Sequence, residues 1–463
     1  MTLLTAKIAA ARAVGELARR AGRGGGTSLP GKVLIRLEPE AISELSARLT
    51  RGSVVISATN GKTTTAAMTA SVLERAGIAL VHNRAGANMA GGVASSLLSA
   101  ARPHGAIDGE LGLFEVDEFW LDRLTPQLGP RAVLLSNLFR DQLDRYGELE
   151  TIADRWAGVA SGMSAGSELV LNADDPLIAD LGREAAADVT YFGVEDGSVA
   201  MPEMQHASDS KHCRRCGAAY VYDVVYLGHL GVYRCTSCGA ARPAPSVAAE
   251  RIALDGTSGS SFDLVTASGR SRVELSLPGL YNVYNALGAA ALCLSLSIPI
   301  DVVVSGLREV QAAFGRAERI AIGEVELQVL LIKNPAGANE ILRTLVIEPA
   351  ELDLLAVLND RTADGRDVSW VWDADFEMLA SRVRRVTCAG TRAGELAVRL
   401  KYAGVPPDRL HVVAGVAAAL DAALAEAPSG RLYALPTYTA LLELRGVLAE
   451  RGHTVPFWEP APV

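Results

Sequence analysis

The chain has 463 residues, of which 49% are apolar, and a formal net charge of -9 at neutral pH. This length exceeds one ordinary hydrophobic core, so we expect two or three domains of about 100–200 residues each. The acidic balance argues against a nucleic-acid-binding protein, because affinity for a phosphate backbone depends on a basic surface.

The N-terminal segment MTLLTAKIAAARAVGELARR predicts a first helix that ends near the glycine run at 24–26, and it lacks the apolar core of a secretory signal. Residues 275–300 are the least charged stretch, but their prolines and asparagines leave an apolar part shorter than the about 20 residues that span a bilayer. We expect a buried helix that starts near Asn282. Since four of the six cysteines follow a metal-binding spacing, few remain for disulfides, which favours a cytoplasmic protein.

The segment KVLIRL (32–37) and the segment GSVVISAT (52–59) are both predicted as short strands, and the residues from Thr63 to Ile78 are predicted as a helix. Between the second strand and this helix lies the sequence TNGKTTT. A strand, a Gly-Lys-Thr loop and a helix bring backbone N–H groups and a helix N-terminus to phosphate oxygens. Lys62 would neutralise the β- and γ-phosphates of a nucleotide, and the Thr63 hydroxyl would bind Mg²⁺.

The loop departs from the general phosphate-loop pattern because Ile56 stands at its first glycine position. Its TNGKTTT form resembles the loop of the Mur ligases and folylpolyglutamate synthetases, although Ala58 stands where these enzymes usually have glycine. The resemblance implies ATP and Mg²⁺ as cofactors, activation of a carboxylate as an acyl phosphate, and attack by an amine. It also implies that Thr59, Asn60, Gly61 and Thr64 contribute to nucleotide binding beside Lys62 and Thr63.

Four further segments resemble the Mur ligases in the order that the family has them. They are LFEVDEF (113–119), LLSNLFRDQLDRYG (134–147), VLNADDP (170–176) and GLYNVYNALGAA (279–290). The resemblance implies that Glu115 binds Mg²⁺, with Asp117 and Glu118 as weaker candidates. It places Asn137 and Asp141 in the family's register, with Gln142 where a histidine is usual. It implies that Asn282 and Asn285 meet adenine.

Two Cys-x-x-Cys pairs, Cys213/Cys216 and Cys235/Cys238, are separated by 18 residues. Two such pairs at this separation form a tetrahedral Cys₄ site, and the glycine after each pair permits the tight turn that the site requires. Because four thiolates leave no position for water, we predict a structural Zn²⁺ in a ribbon from about 206 to 242. A redox dithiol is the alternative function, but one pair would suffice for it. Catalysis does not require this ribbon.

After residue 312 strands and helices alternate, which predicts a mostly parallel, doubly wound α/β sheet. The strands are predicted within 327–333, 352–359, 384–390 and 410–415, and the helices within 337–347, 393–403 and 416–427. Functional residues of such sheets gather where strands end. Lys333 and Asn334 lie at the end of the first of these strands, where the Mur ligases have a nucleotide-contacting loop, so the resemblance implies that Lys333 contributes to nucleotide binding. The segment FGRAER resembles the hinge of the Mur ligases, which implies that Arg316 meets the γ-phosphate.

The segment LNDRTADGRDVSWVWDADFE (358–377) places five aspartates and two tryptophans directly after a predicted buried strand. The aspartates are Asp360, Asp364, Asp367, Asp373 and Asp375. An acidic turn that is merely solvated does not usually carry two tryptophans, so we expect a functional segment. Spacing alone does not select one aspartate, although Asp360 at the strand end is best placed.

This segment, the cysteine pairs and LPTYTALLELR (435–445) resemble the MurT family, the Mur-ligase-like subunits of lipid II isoglutaminyl synthases. The resemblance covers nearly the whole chain and implies three parts. A Mur-ligase-like ATP-binding domain spans 1–312, a zinc ribbon at 206–242 is inserted in it, and an α/β domain that contacts a glutaminase spans 313–463. The UDP-binding N-terminal domain of the muramyl ligases is missing in this family.

The resemblance further implies amidation of the α-carboxylate of D-Glu in the stem peptide of lipid II, which gives D-isoglutamine. The ammonia comes from a class-I glutaminase of the GatD type, which forms a heterodimer with the ligase subunit. Asp360 would complete the Cys–His pair of that glutaminase. The implied location is the cytoplasm, at the inner face of the plasma membrane where the lipid-linked substrate lies.

Two other functions fit parts of this pattern. A stand-alone amino-acid ligase of the muramyl or folylpolyglutamate type would share the ATP site but would work without a glutaminase. A regulatory nucleotide-binding scaffold would use the ribbon for assembly. Co-purification with a glutaminase would separate these alternatives.

Overall fold

The computed structural model describes residues 3–20, 28–83, 87–102, 106–141, 149–205, 208–310, 316–428 and 430–455. The helices are α1 (Leu3–Arg20), α2 (Leu29–Leu37), α3 (Ala41–Ser46), α4 (Lys62–Arg75), α5 (Ala90–Ala100), α6 (Leu121–Leu128), α7 (Leu149–Ser161), α8 (Pro176–Ala179), α9 (Leu280–Ser295), α10 (Ile300–Arg308), α11 (Pro335–Val346), α12 (Ala393–Tyr402), α13 (Val416–Ala425) and α14 (Tyr438–Glu450). Short 3₁₀ turns lie at Asp180–Glu184, Gly197–Val199, Ser369–Trp372, Phe376–Leu379 and Pro407–Arg409.

The strands form two large sheets and one small hairpin. They are β1 (Ser53–Ser57), β2 (Leu80–His82), β3 (Leu111–Glu115), β4 (Ala132–Leu135), β5 (Glu168–Asn172), β6 (Asp188–Val194), β7 (Tyr220–Leu227), β8 (Leu230–Cys235), β9 (Val247–Asp255), β10 (Gly259–Thr266), β11 (Gly269–Leu275), β12 (Arg316–Ile322), β13 (Val325–Leu330), β14 (Leu352–Val357), β15 (Val383–Ala389), β16 (Leu410–Val412) and β17 (Arg431–Pro436).

Among the described residues, the first sheet has nine strands in the order β11-β10-β9-β6-β5-β4-β1-β3-β2. The strands from β2 to β9 in this order are parallel, and β10 and β11 add an antiparallel edge. Both faces of β1 are buried, since Val54 and Ile56 enter one hydrophobic core and Val55 enters the other. A parallel strand that is covered on both faces requires such a continuous apolar run.

The prediction of a strand at 32–37 was wrong, because these residues lie in α2. Pro30 occupies the first turn of this helix, where its missing N–H costs no hydrogen bond. Leu34 is fully buried, and the Gly31 amide donates to Ser95 Oγ of α5 at 2.8 Å. The helix is therefore fixed by its packing on α5, which outweighs the β-branched residues at its centre.

The ribbon is inserted in the first sheet, since β6 pairs directly with β9 while β7 and β8 form a separate antiparallel hairpin. The helix expected near Asn282 is confirmed as α9, which crosses the core beneath this sheet. Within the described ranges, the structure has no helix of the length and apolarity needed to cross a bilayer.

In the part of the chain that the structure describes, the second sheet has six strands in the order β12-β13-β17-β14-β15-β16, all parallel except β12. Its two faces form separate cores, with Leu354 of β14 in one and Leu355 in the other. The prediction of a doubly wound α/β sheet is confirmed. The two α/β parts are in contact: the amide and hydroxyl of Thr257 donate to Glu348 Oε1 at 2.6 and 2.8 Å.

Candidate active site

The chain order of the first sheet reverses at β1, which lies between β3 and β4. In open parallel sheets, ligands bind in the crevice at the carboxyl ends of the strands beside such a reversal. Three predicted site residues, Thr59, Glu115 and Asn137, follow or end these strands. The fold therefore brings the phosphate loop, the predicted Mg²⁺ ligand and the asparagine motif to one edge.

The phosphate loop is clamped by Asn137. The Thr59 amide donates to the Asn137 carbonyl at 3.0 Å, and the Asn60 amide donates to Asn137 Oδ1 at 2.9 Å. Asn137 Nδ2 returns a hydrogen bond to the Asn60 carbonyl at 3.0 Å. Helix α4 then starts with the bond from the Thr65 amide to the Gly61 carbonyl. The amides from Gly61 to Thr63 precede this bond, at the helix end that attracts anions.

Lys62 is 7% exposed and its ammonium group lies inside the site. Its Nζ donates to Glu118 Oε2 at 2.7 Å and to the carbonyl of Ala58. Glu118 is itself held by its backbone, because Trp156 Nε1 donates to the Glu118 carbonyl at 3.0 Å. Sequence reasoning treated Glu118 as a weak metal candidate and missed it as the partner of Lys62. Its position three residues beyond Glu115, after a strand end, was the available signal.

Three carboxylates follow each other closely at the end of β3. Glu115, Asp117 and Glu118 are 3%, 8% and 5% exposed. Burial and the neighbouring Glu118 raise the pKa of Asp117. Grouped buried carboxylates favour a bound cation, and oxygen donors of this kind suit Mg²⁺. The residues therefore fit the ion, although which of them bind it stays a prediction.

Glu115 is oriented by two asparagines. Its backbone exchanges hydrogen bonds with the Asn83 side chain at 2.9 and 2.7 Å, and Asn88 Nδ2 donates to Glu115 Oε1 at 3.3 Å. The Thr63 side chain is half-buried in the first turn of α4.

Asn285 lies against the phosphate loop. Thr65 Oγ1 donates to Asn285 Oδ1 at 3.3 Å, and Asn285 Nδ2 donates to Asn282 Oδ1 at 3.0 Å. Asn282 Nδ2 in turn donates to the Pro278 carbonyl at 2.7 Å. The structure thus brings Asn285 to the phosphate loop, with Asn282 bonded to it, and the predicted contact of both with adenine stays a prediction.

We expect Gly61→Ala to lower the affinity for Mg·ATP at least about tenfold, which corresponds to about 1.4 kcal/mol. Gly61 has φ +84°, and a Cβ there would lie 2.0 Å from Asn285 Oδ1. The matched control is Gly77→Ala, at φ +78° with no atom within 4 Å of its Cβ. Both substitutions should cost about 1–2 kcal/mol of unfolding free energy through backbone strain. Calorimetric titration with nucleotide checks the prediction, and equal affinity in the two variants would contradict it.

Residues of the second α/β part face this loop. Lys333 Nζ lies 2.5 Å from Asp141 Oδ2, and the side-chain amides of Asn334 and Asn60 exchange hydrogen bonds of 2.9 and 3.2 Å. Burial raises the pKa of Asp141, and Lys333 opposes this shift. Asn334 also caps α11 by accepting from the Gly337 amide at 2.8 Å. The backbone of Arg316 opens β12, but its side chain and the whole of Gln142 lie outside the described residues.

The five aspartates of 358–377 have different environments. Asp364 is buried and accepts from the Thr439 amide at 2.7 Å, while Asp367 accepts from the Ser369 amide at 2.8 Å. Asp375 exchanges hydrogen bonds with Asn339 at 2.8 and 3.1 Å. The hydrogen bonds of Asp364, Asp367 and Asp375 therefore stabilise the local backbone and its contacts with neighbouring helices. Asp373 is exposed and lies 3.7 Å from Arg140.

Asp360 follows β14 at the carboxyl edge of the second sheet. Its Oδ1 accepts from Thr391 Oγ1 at 2.8 Å, and Arg392 Nη1 lies 3.6 Å from Oδ2. The side chain is 30% exposed, so it is partly accessible to solvent.

The four cysteine sulfurs of the ribbon lie within 4.8 Å of one another. Cys213 Sγ is 3.6 Å from Cys238 Sγ, and Cys216 Sγ is 3.4 Å from Cys235 Sγ. A tetrahedron with Zn–S bonds of about 2.3 Å requires sulfurs at about this spacing. Amides of Cys238 and Ser237 donate to Cys235 and lower the pKa of its thiol to about 6. The Ala240 amide lowers the pKa of Cys238, but burial and the other three thiols outweigh this effect and raise that pKa to about 11. The donor set therefore fits Zn²⁺.

Two family profiles match the chain: the Mur ligase middle domain over residues 56–233 and the MurT ligase C-terminal region over 331–441. The lipid II isoglutaminyl synthase (glutamine-hydrolyzing) subunit MurT of Streptococcus pneumoniae is 30% identical over 92% of this chain and 93% of its own.

Two solved structures share the fold. A pseudomurein peptide ligase type C from Methanothermus fervidus has a TM-score of 0.67 at 23% identity, over 88% of this chain and 80% of its own. MurF ligase from Thermotoga maritima in complex with ADP has a TM-score of 0.62 at 13% identity, over 91% and 85%. With the phosphate loop, the second α/β sheet that faces it and the Cys₄ cluster in place, these matches show that the chain belongs to the MurT family of ATP-dependent ligases.

Proposed function

We propose that the chain is the ligase subunit that amidates the α-carboxylate of D-Glu in the lipid II stem peptide. The main support is the phosphate loop at the sheet reversal. There Lys62 donates to Glu118, one of three buried carboxylates after β3, and Asn334 of the second α/β part bonds to Asn60. The relative from S. pneumoniae supports the substrate, since its name specifies a subunit of lipid II isoglutaminyl synthase.

The loop residues Thr59 to Thr64 would hold the phosphates of ATP, with Lys62 moving from Glu118 to the β- and γ-phosphates. Asn137, Asn282 and Asn285 would support the nucleotide from its other sides, and Arg316 and Lys333 would add positive charge from the second α/β part. Thr63 and Glu115 would hold Mg²⁺, which neutralises phosphate charge and orients the terminal phosphoryl group.

The proposed amidation has two steps. A carboxylate oxygen of D-Glu attacks the γ-phosphorus, the bond to the β,γ-bridging oxygen breaks, and ADP leaves. Ammonia then attacks the acyl carbon, loses a proton, and expels inorganic phosphate to leave the amide. Positioning and fixed positive charge supply most of the acceleration in such transfers.

Closure of the two α/β parts over the loop would exclude water during this sequence. The Lys333–Asp141 ion pair and the Asn334–Asn60 pair join the parts directly over the loop. An acyl phosphate that is shielded in this way reacts with ammonia in preference to hydroxide.

A GatD-type class-I glutaminase would form the second subunit of a heterodimer and supply the ammonia. The name of the S. pneumoniae relative supports a partner, because it describes a glutamine-hydrolyzing enzyme and calls that relative a subunit. Asp360 would enter the partner's active site, where a carboxylate fixes the tautomer of the catalytic histidine. We propose that the chain divides into an ATP-binding domain at 1–312, the zinc ribbon at 206–242 inserted in it, and a glutaminase-contacting α/β domain at 313–463.

The Cys₄ cluster would hold a structural Zn²⁺ that stabilises the ribbon. No step of the reaction passes through it.

The test is a reaction of purified chain with lipid II, Mg·ATP and ammonium, and a parallel reaction with glutamine and the glutaminase. We expect amidated lipid II and ADP with ammonium alone, and with glutamine only when the glutaminase is present. Ligation of an added amino acid in place of ammonia would show a stand-alone ligase, and absence of any amidated product would contradict the proposal.

A further inference from the structure

The tip of the ribbon hairpin is buried in the ATP-binding part of the molecule. His229 follows β7 at this tip and is fully buried, with its ring centroid 4.7 Å from that of Phe139. Gly228 has φ +56°, and a Cβ there would lie 2.9 Å from the Phe139 ring. Gly228, which lacks a Cβ, therefore lets the hairpin pack closely against Phe139 in the segment after β4.

The His229 ring also faces a carboxylate that orders the same segment. His229 Nε2 lies 3.4 Å from Asp175 Oδ2, which is an electrostatic contact without hydrogen-bond geometry, and this oxygen accepts the Leu138 amide at 2.9 Å. Asp175 is fully buried and caps α8 through its other oxygen, which accepts the Leu177 amide at 2.9 Å. Burial disfavours the charged imidazole, but the Asp175 carboxylate outweighs it and raises the pKa of His229.

One residue further along, the same segment holds the phosphate loop. The Phe139 amide donates to Thr59 Oγ1 at 3.1 Å, and Asn137 binds the amides of Thr59 and Asn60. The stretch Asn137–Phe139 thus bonds the loop on one side and is fixed by Asp175 and His229 on the other. The stretch Asn137–Phe139 therefore connects the ribbon tip to the phosphate loop.

The ribbon is joined to the ATP-binding part by a second set of contacts, which involve Asp174. The Gly231 amide donates to the Asp174 carbonyl at 2.9 Å, and Arg242 Nε donates to Asp174 Oδ1 at 2.6 Å. Tyr284 of α9 donates its hydroxyl to Asp174 Oδ2 at 2.6 Å, beside the asparagines that face the loop. Asp174 and Asp175 therefore both hold the tip of the hairpin, and Arg242 adds a contact from the residues that follow it.

We propose that His229 is a positioning residue for nucleotide binding, which transmits the fixed position of the ribbon tip to the phosphate loop through Asp175, Leu138 and Phe139. This inference rests on the proposed function, in which that loop binds Mg·ATP. A histidine that only fills the core would stabilise the fold without affecting nucleotide affinity, so affinity and stability must be measured separately.

The test compares His229→Phe with His229→Gln in the full chain. Phenylalanine keeps a ring but loses the polar contact to Asp175, so we expect KM and Kd for Mg·ATP to rise about tenfold with kcat nearly unchanged, as for other residues that orient a binding group. Glutamine keeps a donor and should restore most of the affinity. Val221→Ala, on the exposed part of β7, is the ribbon control and should bind ATP as the wild type does.

Gly228→Ala provides a second variant should His229→Phe not fold, because it presses on Phe139 and leaves His229 in place. It should also weaken ATP binding, with zinc content equal to that of the wild type. Unchanged ATP affinity in His229→Phe or Gly228→Ala, beside a lowered melting temperature, would overturn the inference, as would a glutamine variant as weak as the phenylalanine variant. Wild-type protein that fails to bind Mg·ATP would instead overturn the proposed function.

Discussion

Replacing Lys62 by alanine is expected to reduce ATP-dependent amidation of lipid II by about 10²–10³-fold or more, whichever nitrogen source is used. Lys62 is the cation at the start of α4, where the γ-phosphate would lie, and its loss removes charge stabilisation that water cannot replace in a closed site. Release of ADP in the presence of lipid II and ammonium measures the effect. Zinc content should equal that of the wild type, since the Cys₄ cluster is separate.

The Lys62 variant requires a control for stability. Lys62 is buried against Glu118 at 2.7 Å, and removal of one partner of a buried ion pair costs about 3–5 kcal/mol. The double variant Lys62→Met with Glu118→Gln removes both charges and should recover most of the melting temperature without recovering activity. Activity in this folded double variant would show that Lys62 acts only on stability and would remove the loop lysine from the mechanism.

Replacing Asp360 by asparagine is expected to abolish glutamine-dependent amidation by the heterodimer while ammonium-dependent amidation stays near the wild-type rate. The analogous change in a catalytic triad lowers turnover by about 10⁴-fold, because the histidine adopts the wrong tautomer. Asparagine keeps the size of the side chain and can still accept from Thr391, so complex formation should persist. Parallel assays with glutamine and with ammonium, on the same purified complex, measure the difference.

Asp367→Asn is the matched control for Asp360. Asp367 lies in the same acidic segment, is exposed, and accepts from the Ser369 amide at 2.8 Å. Its substitution should cost at most about 1 kcal/mol of stability through the turn it caps and should leave both nitrogen sources in use. Equal losses with glutamine and ammonium in Asp360→Asn would place Asp360 in the ligase site instead of the glutaminase interface.

Short sequence patterns predicted those features that are specified by residues close together in the chain, namely the phosphate loop, the Cys₄ cluster and the second sheet. The Gly-Lys-Thr loop is specified by a strand before it and a helix after it, and the structure has both in place as β1 and α4. The Cys₄ cluster follows from two short spacings, and the sulfurs meet within 4.8 Å. The alternation after residue 312 likewise predicted the second sheet, because parallel strands need helical crossovers.

Contacts between distant segments were not predictable in this way. Nothing near residues 32–37 indicates that α5 packs on them, so β-branched residues suggested a strand where the chain forms α2. The partner of Lys62 depends on the end of β3, and the burial of His229 depends on how the ribbon folds back onto β4 and β5. The different roles of the five aspartates also depend on partners such as Thr439 and Asn339, far away in sequence.

The most direct test of the central claim uses lipid II whose D-Glu α-carboxylate is labelled with ¹⁸O. If the loop delivers the γ-phosphoryl group of ATP to a carboxylate oxygen, each turnover transfers that oxygen to the inorganic phosphate, which mass spectrometry detects. We predict one ¹⁸O atom in the released phosphate for each amide formed from fully labelled substrate. Amide formation with unlabelled phosphate would contradict the account.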